Sequence, residues 1–353
     1  MLPTNCGNSP MPGSLNSDLE EILSLTEELW TQFRGARLLV TGGTGFMGCW
    51  LLESFLHANR RHDLGAKVVV LTRDPLAFAQ KAPHLAQSPC LELVQGNVLN
   101  FPNLEGEFTH LIHGATDASA KLNEENPRLM FDTILTGTRG ALEFAQAKSV
   151  QRALFLSSGA VYGRQPFDLE YVGEDWHGAP DCADPRSAYA EGKRAAETLC
   201  AIYARQHGVE VSIARCFAFV GPHLPLDTHF AIGNFIRNAM DGGPILVRGD
   251  GTPFRSYLYA TDLTVWLWHL LLRGDPGVAF NVGSEDALSI AELASEVGKE
   301  MGGIPISVQG QADPGRKPER YVPSTARIRS HLGLTQTISL REGIRRTAAW
   351  HAR

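Results

Sequence analysis

No two of the six cysteines (Cys6, Cys49, Cys90, Cys182, Cys200 and Cys216) form a C-x-x-C pair. Their scatter excludes the ligand spacing of a structural zinc site and the dense framework of a disulfide-stapled domain, so no metal is expected and the thiols are expected to be reduced. Long apolar runs are also missing: the most apolar stretch, Val265–Leu272, is far too short to span a bilayer. Positive charge is not in excess, and a formal net charge of −6 leaves no global basic footprint for nucleic acid. Met1–Asn16 has neither a basic n-region nor an apolar h-region, so no secretory leader is expected and the expected compartment is the cytoplasm. Neither an internal repeat nor a low-complexity segment is found.

What is present is an ordinary globular composition over 353 residues, enough for one large α/β unit or two lobes. Residues 1–16, rich in Pro, Gly, Asn and Ser, read as a mobile tail. A helix is expected next: Ser17 and Glu20 stand at capping-box spacing, and Leu19, Ile22, Leu29, Trp30 and Phe33 recur on one face. Because it precedes the first strand, it is an added element that should pack on the core or on a second subunit. Short apolar strands follow at Arg37–Thr41, Lys67–Thr72, Leu91–Gln95, Thr109–His113, Ala153–Ser157 and Glu210–Ala214, with helical stretches between most of them. That alternation predicts an α/β fold: a doubly wound parallel Rossmann sheet covered on both faces. After about Gly221 the pattern loosens into a smaller mixed α/β lobe. The expected organisation is a tail and added helix over 1–34, a Rossmann domain over 35–220, and a smaller lobe over 221–353, with 255–283 returning to the Rossmann core.

The strongest local signal is Leu38-Leu39-Val40-Thr41-Gly42-Gly43-Thr44-Gly45-Phe46-Met47-Gly48. Gly42, Gly45 and Gly48 satisfy G-x-x-G-x-x-G; Gly43, Gly45 and Gly48 satisfy G-x-G-x-x-G. The string follows an apolar strand and opens a helix at Phe46 and Met47, the context in which glycine lets the backbone approach a diphosphate seated at a helix N-terminus. A purely structural turn is the competing explanation. The second strand usually ends in an acidic residue when the ribose 2′-hydroxyl is to be bound. Here it ends in Thr72 and Arg73, with Asp74 only afterwards. Arg73 is placed to meet a 2′-phosphate, which favours NADP(H) over NAD(H), unless it is merely a solvated loop arginine.

Tyr189-Ala190-Glu191-Gly192-Lys193 sets a tyrosine and a lysine four apart, on one helix face. A phenol with a pKa of about 10 is a poor base, and a neighbouring ammonium favours its phenolate. Tyr189 is thus a candidate general acid/base, with Lys193 as its tuner and a ribose anchor; an exposed helix pair is the alternative. Roughly thirty residues upstream, a strand ends in Ser157-Ser158, where ligands gather in doubly wound sheets.

These segments resemble the extended short-chain dehydrogenases/reductases, specifically the NAD-dependent epimerase/dehydratase family in its nucleotide-sugar branch, from about Arg37 to Trp350. The similarity also rests on His113-Gly114-Ala115, Ser157-Ser158-Gly159-Ala160-Val161-Tyr162-Gly163, Arg215…Gly221-Pro222, Gly249-Asp250-Gly251…Arg255-Ser256-Tyr257-Leu258-Tyr259-Ala260-Thr261-Asp262 and Phe280-Asn281-Val282-Gly283. The resemblance implies a catalytic trio of Ser158, Tyr189 and Lys193. It implies Gly42, Gly45, Phe46, Met47, Gly48, Thr72, Arg73, Asn97, Val98, Gly114 and Ala115 against the cofactor, with Asn97 beside the adenine. It implies Arg255 and Arg316 on a substrate diphosphate, where a surface salt bridge is the competing role for either, and a homodimer built from paired helices. By the same resemblance, the dehydratases carry Asp-Glu after the catalytic hydroxyl and the decarboxylases keep a glutamate there. This chain has Gly159 and Ala160. Ala218 and Ile134 stand where the family has asparagines, so a different substrate pocket is expected. Two reactions remain: reduction of a 4-keto-sugar with NADPH, favoured by Arg73, or 4-epimerisation with retained NAD. A non-catalytic dinucleotide sensor is the remote alternative.

Overall fold

The computed structural model describes residues 15–116, 120–228 and 230–352, the side chain of Ala120 excepted. The expected N-terminal tail falls almost wholly outside that range. The chain divides into two compact units: residues 1–161, 181–215 and 264–279, and residues 162–180, 216–263 and 280–353.

The first unit is built on a seven-stranded sheet. Its strands are β1 (Arg37–Thr41), β2 (Lys67–Thr72), β3 (Leu91–Gln95), β4 (His110–His113), β5 (Arg152–Ser158), β6 (Val211–Cys216) and the strand Ala279–Val282, which runs on into the second unit. They lie in the order β3, β2, β1, β4, β5, β6, Ala279–Val282. The pairs β1–β2, β1–β4, β2–β3 and β4–β5 are all parallel. Strands flanked by helices on both faces must be apolar along their length: Leu38, Leu39 and Val40 of β1 and Val68, Val69 and Val70 of β2 are all buried. The order reverses between β1 and β4, and the C-terminal mouth of such a switch point is where this class of sheet binds ligands.

Helix α2 (Phe46–Arg61) follows β1, and α3 (Pro75–Lys81) and α4 (Pro83–Ala86) follow β2. After β4 come α5 (Ala120–Glu125) and α6 (Pro127–Ala147), and α7 (Ala188–His207) precedes β6. Helices α6 and α7 pack closely where Gly192 lies against Ile134, a Cβ there coming 3.1 Å from Ile134 Cδ1. Ile134 is therefore interior helix packing, 1% exposed, rather than a pocket residue.

The added N-terminal element lies on the core of the first unit. Its first half is α1 (Asn16–Leu25), and its second, Glu27–Phe33, is a 3-10 helix. The expected capping box does not form. The helix starts one residue before Ser17, with Leu15 at the N-cap and no side-chain cap. Glu20 instead reaches α2, accepting from Arg61 at 2.8 Å and meeting His57 at 3.1 Å. Two tertiary partners outcompete one local amide. The apolar face is as expected, with Leu19, Ile22, Leu29, Trp30 and Phe33 all buried. Trp30 and Phe33 meet Trp268 at 5.1 and 5.4 Å between ring centroids, and Phe33 meets Phe55 edge-on at 5.7 Å.

The second unit contains the helices Ala231–Met240, Ile290–Glu300 and Leu340–His351 and several two- and three-residue strands. Two of the motif residues hold it together. Asn281 accepts from Tyr162 Oη at 2.7 Å and donates to the carbonyls of Val172 and Ser324. The Asp262 carboxylate accepts from the amides of Thr337 and Ile338 and from the Thr337 hydroxyl. Cys49, Cys182, Cys200 and Cys216 are free thiols, but Cys90 is disulfide-bonded, which corrects the expectation of reduced cysteines. Sequence scatter excludes a framework, not a single bridge. No helix among the described residues is long and apolar enough to cross a membrane.

Candidate active site

The glycine string forms the turn at the end of β1. Gly42 has φ +75° and sits against the end of β4, where a Cβ would come 2.5 Å from the Gly114 carbonyl carbon. Gly48 is equally closed, a Cβ there meeting Gly43 Cα at 2.4 Å. Two of the three glycines are thus required by packing of the turn against β4 and α2. Gly45 differs: it is exposed, and only the Gly42 carbonyl, at 3.5 Å, is near its missing Cβ. It is also the N-cap of α2, with no side chain capping the first turn. A bare helix N-terminus behind a glycine with open space in front is the shape a diphosphate requires, so the residues present fit a dinucleotide.

At the switch point, Thr41 Oγ1 accepts from the Ala115 amide at 3.2 Å and is hydrogen-bonded to His113 Nδ1 at 2.7 Å. Burial, and then the charge of Lys193, push the His113 pKa down to about 3, so the ring is neutral. The Gly114 amide donates to the Thr41 carbonyl. Gly114 and Ala115 are thereby fixed at the mouth.

Lys193 carries the charge of the site. It is 2% exposed, and its Nζ donates to the Leu156 carbonyl at 2.7 Å and to Thr116 Oγ1 at 3.0 Å. The ammonium lies 4.8 Å from the Phe155 ring centroid and 6.0 Å from that of Tyr189, one turn earlier on α7. Tyr189 is half-buried, and its amide donates to Asn123 Oδ1 at 3.0 Å, which fixes where α7 begins. Ser158 ends β5, and its Oγ accepts from the Ala160 amide at 3.2 Å. Among the described residues its own proton has no acceptor, so it can be donated outward. Beneath these groups, Ser157 Oγ donates to Glu197 at 2.5 Å, and Arg215 of β6 grips the same carboxylate through Nε and Nη2, the latter at 2.7 Å. Glu197 is one turn beyond Lys193 on α7, so this bridge fastens the Tyr-Lys helix to the strand that ends in Ser158.

The other expected residues are placed as follows. Thr72 is buried at the end of β2 and accepts from the Asp74 amide, and Arg73 beyond it is exposed. Asp74 caps α3 by accepting from the Ala77 amide at 2.9 Å. Phe46 and Met47 are half-buried in the first turn of α2. Asn97 folds its side chain onto the Leu99 amide, and Val98 is buried against Gly137. Arg255 and Arg316 belong to the second unit. Arg255 is half-buried, with Nη1 on the Phe254 carbonyl, whereas Arg316 is exposed and paired with Glu319 at 3.3 Å. Sequence reasoning missed Thr116, which stands one residue beyond the His113-Gly114-Ala115 motif, and the Ser157–Glu197–Arg215 bridge. A helix-period count from Tyr189 through Lys193 points to Glu197; nothing local points to its partners.

A parallel sheet in this order, with a glycine turn after β1 and a Ser, Tyr and Lys around β5 and α7, defines the extended short-chain dehydrogenase/reductase class. The family model described as "NAD dependent epimerase/dehydratase family" matches residues 38–283, and the chain belongs to that family. It is similar to UDP-glucuronic acid decarboxylase 1 of Arabidopsis thaliana, at 32% identity over 88% of this chain and 68% of that one. UDP-glucuronic acid decarboxylase 6 of the same plant is 30% identical over 87% of this chain and 86% of its own length. Among solved structures, DesIV, a dTDP-glucose 4,6-dehydratase from Streptomyces venezuelae with NAD bound, aligns with a TM-score of 0.74 at 26% identity, covering 90% of this chain and 97% of that one.

Proposed function

We propose that this enzyme reduces a keto carbon of a nucleotide-linked sugar, a 4-keto-sugar reductase drawing on NADPH. The observation that carries the reading is the pair Gly159 and Ala160 directly after Ser158: the decarboxylase and dehydratase relatives perform chemistry for which no carboxylate stands on those two residues here. Simple hydride transfer needs only the trio. A bound nicotinamide supplies the hydride. The Ser158 hydroxyl hydrogen-bonds the carbonyl oxygen, Tyr189 delivers the proton that turns it into a hydroxyl, and Lys193 holds a positive charge beside Tyr189 and anchors the ribose. Arg255 and Arg316 meet the substrate diphosphate, where guanidinium forks suit phosphate oxygens. Thr72 and Arg73, with the carboxylate of Asp74 turned to capping α3, admit a 2′-phosphate. The test is incubation with NADPH and a panel of UDP- and dTDP-4-keto-sugars, following loss of NADPH and the sugar product together. One NADPH consumed per sugar reduced is the expected result. Interconversion of a hexose without net oxidation would replace the reading by an epimerase with retained NAD, and release of carbon dioxide from UDP-glucuronate would replace it by decarboxylation. Tight dinucleotide binding with no turnover of any sugar would leave a sensor.

A further inference from the structure

Lys81, the last residue of α3, reaches back to the glycine turn: its Nζ donates to the Thr44 carbonyl at 2.8 Å. Asp74, the N-cap of α3, directly follows Arg73, so this short helix begins at the end of β2 and returns an ammonium to the turn after β1. The two places are neighbours. Gly43 lies so close to β2 that a Cβ would come 2.8 Å from Val70 Cγ1. The ribose 2′ position of a dinucleotide lies at the end of the second strand, and its diphosphate lies on the turn. Lys81 therefore borders the place where a 2′-phosphate would sit, on the side of the glycine turn.

Its charge is available there. Among the described residues neither Lys81 nor Arg73 pairs with a carboxylate. The nearest acidic group in sequence, Asp74, accepts from the Ala77 amide. An ammonium has three N–H donors, so the single bond to Thr44 leaves two. The field of Lys81 also reaches into the turn: the buried Cys49 thiol, which lies 3.8 Å from the same Thr44 carbonyl, is pushed up to about 12 by burial while Lys81 pulls the other way.

We propose that Lys81 is a second specificity-determining cation, acting from the glycine turn while Arg73 acts from the end of β2 on the 2′-phosphate of NADP(H). This rests on the NADP(H) reading above. Arg73 marks the end of β2, and Lys81 ties the phosphate to the glycine turn, so that selecting the phosphate also holds the turn in place. The test is equilibrium titration of NADPH and of NADH, read by quenching of protein fluorescence, on the unmodified protein and on Lys81→Met, Lys81→Arg and Arg73→Ala. The expected result is that Lys81→Met weakens NADPH about tenfold, as for the loss of one charge-assisted contact. NADH affinity should stay unchanged, and Lys81→Arg should keep most of the preference. Equal weakening of both cofactors in Lys81→Met would mean that Lys81 only braces the turn, and no effect on either would mean that it faces solvent; both overturn the proposal. If the unmodified protein prefers NADPH and Arg73→Ala abolishes that preference while Lys81→Met does not, the Lys81 proposal falls alone. If the unmodified protein binds the two cofactors equally, the NADP(H) reading falls and takes this one with it.

Discussion

At the scale of single residues, the site depends on where protons and charges are held. Lys193 is buried with its charge, which is tolerable because its ammonium has a carbonyl, a hydroxyl and two aromatic faces around it. Tyr189 stands one turn away on the same helix, its ring centroid 6.0 Å from that ammonium. Tyr189→Phe is expected to keep cofactor affinity and to lose about 10²–10⁴-fold in turnover, the usual worth of a positioned acid or base. Lys193→Met is expected to lower both turnover and cofactor affinity, because it also strands the Leu156 carbonyl and the Thr116 hydroxyl that Lys193 joins. Near-normal rates in Tyr189→Phe would remove it from the chemistry, and steady-state kinetics beside cofactor titration separate the two effects.

At the scale of elements, the helix that carries Tyr189 and Lys193 is only as well placed as its fastening. Ser157, Glu197 and Arg215 come from β5, α7 and β6, and the Arg215–Glu197 pair is largely buried, with side chains 16% and 10% exposed. Removing one partner of such a pair leaves the other charge uncompensated. Glu197→Ala is expected to cost about 3 kcal/mol of unfolding free energy. Glu197→Gln, which can still accept from Ser157, is expected to cost less. Urea denaturation measures both, and a loss within error of zero for Glu197→Ala would show that the bridge does not fasten the helix. The elements themselves were largely legible in the sequence. The bounds of β1, β2 and β3 follow from apolar runs cut by Gly, Thr and Asp. What was not legible was set by distance along the chain. Ser17 and Glu20 have the spacing of a cap, but Arg61 and His57 are invisible to any local pattern. Lys81 sits eight residues after Arg73 with no motif between them, and only the length of α3 and the closeness of Gly43 to Val70 bring it to the turn. The glycine string and the Tyr189–Lys193 spacing were readable because they are local, six positions along a turn and four along a helix, whereas Ser158 comes from β5, a separate element.

At the scale of the whole molecule, buried histidines set the response to acid. Burial lowers His113 to about 3 and His110 to about 4, with the charges of Lys193 and Arg152 acting in the same sense. His57, His269 and His351 are lowered too, again chiefly by burial. His110 and His113 each take up a proton in the unfolded chain below the ordinary value of 6.5 while staying neutral in the fold down to about 4. The unfolded state therefore binds more protons, and stability falls as the pH drops from about 6.5 towards 4, by about 1.4 kcal/mol per pH unit for each fully buried histidine. Glu292, Glu296 and Glu342 are held below 4.5 by hydrogen bonds from Ser289, from Lys299 and Arg341, and from Arg346, which adds loss of the same sign at still lower pH. The melting temperature is expected to fall steadily from neutral pH to about pH 4, and His110→Phe is expected to make that fall shallower. A melting temperature flat across this range would contradict the assignment of neutral buried rings.

The aromatic cluster under the N-terminal helix has a consequence in time. Ser54 receives the indole N–H of Trp268 across 214 residues of sequence. At about 5–20 residues per second of synthesis, Trp30, Phe33 and Phe55 leave the ribosome roughly 10–40 s before the ring that covers them. For that interval the nascent chain presents a sticky aromatic face with nothing to close it. A segment made some two hundred residues before its cover is among the last to be finished, and a holdase that shields it during translation would raise the yield of folded protein more than one added after release.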